Sequence, residues 1–102
     1  MYQLIFYVPK NHVESVKAAV FATGAGRLGD YEQCSWQVEG QGQFKPLPNS
    51  QPFLGEQDVL EVVSEYRVEM ICEAQFAAAV IDALKSAHPY EAPVYHLVEI
   101  VL

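Results

Sequence analysis

One pattern occurs twice along this chain: a strand-like run, a segment with apolar residues at helical spacing, then another strand-like run. Tyr2–Val8 (YQLIFYV) is β-rich and nearly all apolar, which predicts a strand covered on both faces. Pro9 stops it, and Asn11 with Glu14 three residues on predicts a helix cap. Val13, Val16, Val20 and Phe21 then recur on one helical face, with His12, Lys17 and Thr23 pointing away. Gly24 follows as the residue that ends a helix at no conformational cost. The second occurrence starts at Asp58–Glu73. As a helix it would stack Glu61, Glu65, Glu69 and Glu73 against one another. As a strand it puts Leu60, Val62, Tyr66, Val68, Met70 and Cys72 on one face, so a strand is expected. Phe76, Val80, Ile81 and Leu84 mark a helix over Ala74–Ala87. Pro89 ends it, and Pro93 opens a last strand, Val94–Val101.

Between the two occurrences the chain is irregular. Tyr31–Glu39 reads as a strand with Cys34, Trp36 and Val38 in alternation. Gly40-Gln41-Gly42 reads as a tight turn, and Gln43–Lys45 as a returning hairpin arm. Residues 46–57 hold three of the six prolines, so an excursion is expected there, with Phe53 and Leu54 tucked back onto the body. The element order is β-α-β, hairpin and loop, β-α-β. Its simplest closure is an α+β, ferredoxin-like βαββαβ sandwich: an antiparallel four-stranded sheet with both helices on one face. At 102 residues this is a single domain over 1–102, with the hairpin and Pro-rich excursion at about 40–57. Such a length buries a core without disulfide or metal staples.

Composition removes several classes of function. A hydrophobic fraction of 51% excludes a disordered chain. A net charge of −7 argues against binding a phosphate backbone, so no nucleic-acid partner is expected. Much of that charge is local: Glu56, Asp58, Glu61, Glu65, Glu69 and Glu73 are offset between 56 and 73 by Arg67 alone. That marks a solvated or channel-lining sheet face, one that packs against another subunit only where cations meet it. The N-terminal apolar run Leu4–Val8 is too short for a leader or a membrane span. Cys34 and Cys72 stand far apart, neither a zinc pattern nor a redox pair. A soluble cytoplasmic protein with no membrane partner is expected.

Two motifs invite chemistry. Gly24-Ala25-Gly26-Arg27-Leu28-Gly29 matches G-x-G-x-x-G, but a helix precedes it and a strand follows, the reverse of a dinucleotide site. It is either a helix cap with a turn, or a loop whose free N–H groups and Arg27 hold an anion. In His88-Pro89-Tyr90-Glu91-Ala92-Pro93, His88 and Glu91 can meet as an acid/base pair or as two metal ligands. A third ligand would be His96 or His12. The bland alternative is a histidine that closes the helix, with Tyr90 packed beneath. His96 shares parity with Val94, Val98 and Ile100 on the last strand. No nucleophile stands with a base, so no catalytic residue and no cofactor is expected, a divalent metal being the open case.

The stretches YQLIFYVPKNH, GAGRLGDYEQCSWQVEGQGQFKPLPNSQPFLG and AHPYEAPVYHLVEI resemble, over Tyr2–Val101, the inserted middle domain of the YqfO (Nif-three-like) family. That domain is similar in fold to PII and CutA proteins. The resemblance implies a ferredoxin-like unit that trimerises through its sheet edges. The two-metal site of the full-length family lies in flanking domains, and none of its ligands are in this sequence. The expectation is therefore the insert standing alone. Ala92 takes the place of a usual Glu and His96 that of a usual Asp, and the lost acid weakens a metal site at this turn. The expected function is a non-enzymatic, oligomeric small-ligand-binding or regulatory domain of the PII/CutA type. The alternatives are a divalent-metal-binding CutA-like protein and a purely structural or partner-binding module. Each motif loop joins a helix end to the next strand, so both are expected at one end of the sheet. Gly24, Gly26, Arg27, Gly29, Asp30 and Tyr31 would then share one cleft with His88, Tyr90 and Glu91, Arg27 holding a small anion.

Overall fold

The computed structural model describes all 102 residues. Its elements are β1 (Tyr2–Pro9), α1 (Val13–Ala22), β2 (Trp36–Phe44), β3 (Glu61–Cys72), α2 (Ala77–Ala87) and β4 (Tyr95–Glu99). The strands form one sheet in the order β2-β3-β1-β4, every neighbouring pair antiparallel. This is the expected ferredoxin-like α+β fold.

The core lies between the sheet and the helices. Leu4, Phe6 and Val8 project from one face of β1 and pack with Val68 and Met70 of β3. Val16 and Val20 of α1 and Val80 and Leu84 of α2 close over them. Burying each such side chain contributes roughly 1.5–3 kcal/mol, so this one layer supplies the main stabilisation. On the opposite face of β1 only Ile5, at 8% exposure, and Pro9 at the strand's end are buried. The strand is thus covered fully by the helices on one side and only locally by neighbouring side chains on the other.

Rows across the helix-free face follow from the register. Trp36 stands beside Glu69, Glu69 beside Ile5, and Ile5 beside His96. The next row runs Val38, Arg67, Tyr7. The face is mixed, apolar at the edge strands and charged along β3.

Four local expectations are corrected. Asn11 does not cap α1: Lys10–His12 form a short 3-10 turn after Pro9, and His12 precedes the helix with no side-chain cap. Cys34 does not alternate in a strand, because its N–H is taken by the Gly26 carbonyl at 2.8 Å, and β2 begins only at Trp36. Gly40-Gln41-Gly42 is no turn: it runs straight through β2, opposite Glu65, Ser64 and Val63. A Cβ on Gly42 would run into the Glu65 carboxylate, so the glycine makes room for a side chain from the partner strand. The last strand is also shorter than Val94–Val101, ending at Glu99. Residues 45–60 carry neither helix nor strand.

Candidate functional site

The two motif loops lie at opposite ends of the sheet, which corrects the expectation of one shared cleft. α1 returns from β1 and α2 returns from β3, and because β1 and β3 are antiparallel the helices end at opposite rims. The Gly26 N–H donates to Ile71, which stands opposite Gln3, whereas His88 reaches Tyr7. These anchors are about 13 Å apart along β1 at a rise of roughly 3.3 Å per residue.

At the first rim the glycines shape a turn. Gly24 ends α1 with φ +111°, a region closed to most side chains. The N–H groups of Gly24, Gly26, Leu28, Tyr31 and Cys34 all donate to carbonyls of the chain itself. Leu28 and Tyr31 exchange both their bonds across Gly29 and Asp30. Four of the eight amides of residues 24–31 are thus spent internally. Arg27 is exposed and stands 3.8 Å from Glu32. Tyr31 is exposed, with Asp30 beside it in the turn.

At the other rim the HPYE turn is packed. His88 is only 5% exposed. Its Nδ1 accepts the Tyr90 N–H at 3.1 Å, so its proton sits on Nε2, which donates to the Tyr7 carbonyl at 2.6 Å. Burial pushes its pKa below the ordinary histidine value, outweighing the Tyr7 hydrogen bond and the Glu65 charge that act the other way. With both ring nitrogens engaged, His88 has none left to ligate a metal or move a proton. Glu91 does not meet it, since Glu91 accepts the Gln51 N–H at 2.9 Å. His96 lies exposed on the helix-free face, its ring edge-on to Tyr7 at 6.5 Å. His88, Glu91 and His96 thus form no metal-ligating group, and no other three His, Cys, Asp or Glu side chains do.

Tyr90 does the joining. Its hydroxyl donates to a Glu65 oxygen at 2.7 Å, and its ring meets Phe44 edge-on at 5.8 Å and His88 at 5.0 Å. Burial first, then the Glu65 hydrogen bond and the charges of Glu65 and Glu61, hold its hydroxyl protonated well above the ordinary tyrosine range. Above it the Pro-rich segment folds back, held by the Glu91–Gln51 bond and by Phe53 edge-on to His12 at 5.4 Å. Between the segment and the sheet lies a cleft of about 470 Å³, walled by Tyr7, Phe44, Phe53, Leu54, Glu65 and Tyr90. Of the residues expected in a site, Tyr90 and Glu91 line this cleft, and His88 supports it from beneath. Phe44, Gly42 and Glu65 were not legible as site residues. Phe53 and Leu54 were legible only as apolar residues of a Pro-rich excursion that tuck back onto the body. A second cleft, between α1 and the glycine loop, holds Arg27 with Glu14, Lys17 and Glu32 and is polar.

No family model matches the chain. Over 97 residues it is 46% identical to a Mycobacterium leprae protein named GTP cyclohydrolase 1 type 2 homolog, covering 95% of this chain and 25% of that one. The Bacillus subtilis protein of the same name is 43% identical over 95 residues, covering 93% of this chain and 26% of that one. The chain thus spans about a quarter of the length of the curated relatives it matches. Among solved structures, a Bacillus cereus protein related to NIF3 superposes with a TM-score of 0.80 at 36% identity, covering 95% of this chain and 24% of that one. The divalent cation tolerance protein CutA of Archaeoglobus fulgidus superposes with a TM-score of 0.68 at 16% identity, covering 97% of this chain and 82% of that one. The sequence resemblance is therefore to a segment of Nif-three-like proteins, and the fold is CutA-like. No helix is long and apolar enough to cross a membrane.

Proposed function

We propose that this chain, similar to one segment of the Nif-three-like proteins, serves as a non-enzymatic small-ligand-binding domain of the PII/CutA type. The ligand is held in the cleft between the Pro-rich segment and the β2–β3–β1 rim. The observation that carries this is the cleft itself: about 470 Å³, within the range of small-molecule sites, with aromatic walls and two carboxylates, Glu65 and Glu91, in its lining. A binding role is favoured over a catalytic one because His88, the one buried histidine, is held neutral with both nitrogens bonded. Any cyclohydrolase chemistry of the relatives is assigned to the parts of their chains that this one does not match.

We further propose a homo-oligomer, a trimer being the assembly that the family resemblance implies. Support comes from the helix-free face, where Trp36, Val38, Val94 and Val98 are between 45% and 60% exposed at the two edge strands. We place the protein in the cytoplasm, where its free thiols, Cys34 and Cys72, remain reduced. The test of the ligand site is a small-molecule screen by thermal shift on wild type and on Phe53→Ala, which opens the wall. Ligands that raise the wild-type melting temperature and not the variant's support the site; an equal rise in both, or none, refutes it.

A further inference from the structure

The charges around the cleft point to the class of ligand, an inference that rests on the ligand-site reading above. Of its lining residues the charged ones are Glu65 and Glu91, both acids, and no Lys, Arg or His lines it. Glu61 stands close enough to act on the Tyr90 hydroxyl and adds negative potential. Lys45, between the lining residues Phe44 and Pro46, is exposed and does not line the cleft, and two other nearby cations are paired. Lys10 lies 3.5 Å from Glu39, and Arg67 lies 3.7 Å from Glu69 with its guanidinium 5.9 Å from the Tyr7 ring centre. Glu65 is fixed rather than free to swing: Tyr90 holds one of its oxygens, and its carboxylate fills the space that Gly42 leaves. Four aromatic rings, of Tyr7, Phe44, Phe53 and Tyr90, form the walls. Ring faces carry negative charge and attract cations, most strongly where water is excluded. An anion would meet two carboxylates and no cationic lining residue here.

We propose that the cleft takes an organic ammonium ion, an amine carried on an apolar body, with Glu65 facing the nitrogen and the rings flanking the rest. This replaces the small anion expected at Arg27, which stands at the other rim.

The experiment titrates the full chain with three probes of one shape: 2-phenylethylammonium, 2-phenylethanol and 3-phenylpropanoate, followed by calorimetry at low salt. The ammonium is expected to bind at least about tenfold tighter than the alcohol, and the carboxylate weakest. Glu65→Gln keeps an acceptor for Tyr90. It is expected to bring the ammonium down to the alcohol's affinity while leaving the alcohol unchanged. Equal binding of ammonium and alcohol, or tightest binding of the carboxylate, overturns the inference and leaves the ligand site standing. Binding of none of the three overturns both.

Discussion

The Tyr90 hydroxyl donates to a Glu65 carboxylate oxygen at 2.7 Å and so ties the loop after α2 to the middle of β3. The bond sets the wall of the cleft, because Glu65 otherwise projects into solvent from the helix-free face. Tyr90→Phe keeps the ring contacts with Phe44 and His88 and removes only the bond. It is expected to cost about 1 kcal/mol in denaturant unfolding, with the circular dichroism spectrum unchanged.

The two glycines of β2 should respond differently to alanine. At Gly42 a Cβ meets the Glu65 carboxylate, while at Gly40 it meets nothing within 4 Å. Gly42→Ala is expected to displace Glu65 and destabilise by about 1 kcal/mol, and this loss should largely overlap with that of Tyr90→Phe in a double-mutant cycle. Gly40→Ala should be neutral or stabilising, within about 0.5 kcal/mol, since alanine lowers the entropy of the unfolded chain.

His88 makes stability depend on pH. Its folded pKa lies below the ordinary value of 6.5, so the unfolded chain binds the proton more readily than the native one. Stability is then full above 6.5 and falls as pH drops from there toward the lower folded value. The melting temperature should fall between about pH 7.5 and 5.5, a window above most carboxylate titration. His88→Gln should be less stable throughout, with a flatter slope across that window. A slope unchanged by the substitution would contradict this assignment to His88.

Arg27 and Glu32 form an exposed pair. Arg27→Ala is expected to change stability by less than about 0.5 kcal/mol and to leave ligand-induced shifts in melting temperature untouched. A variant that lost those shifts would move the site to the glycine-loop rim.

The elements with a strong single period were readable from the sequence: β1, both helices and the alternating β3, together with Gly24 as a helix end. What misled was local chemistry with two meanings. Gly40-Gln41-Gly42 carries the signal of a turn, yet the glycine at 42 serves the Glu65 side chain, which lies far along the chain. Asn11 has the chemistry of a cap, but Pro9 leads into a 3-10 turn that starts α1 later. The placement of the two loops failed for a topological reason. Both follow helices, but their helices follow antiparallel strands, so helix-end logic alone put opposite rims together. The cleft was only partly legible, through Tyr90 and Glu91, with Phe53 and Leu54 readable as apolar residues that fold back but not as its walls. Phe44 and Glu65 come to it by register between β2 and β3, which no local pattern reveals.

The most direct measurement of the central claim is a two-dimensional NMR titration of the isotope-labelled full chain with a ligand from the screen. Backbone amide shifts are expected to concentrate at Tyr7, Phe44, Phe53, Glu65 and Tyr90, with Arg27 and Glu32 unmoved. Shifts centred on Gly24–Glu32, or spread evenly over the helix-free face, would contradict a ligand site beneath the Pro-rich segment.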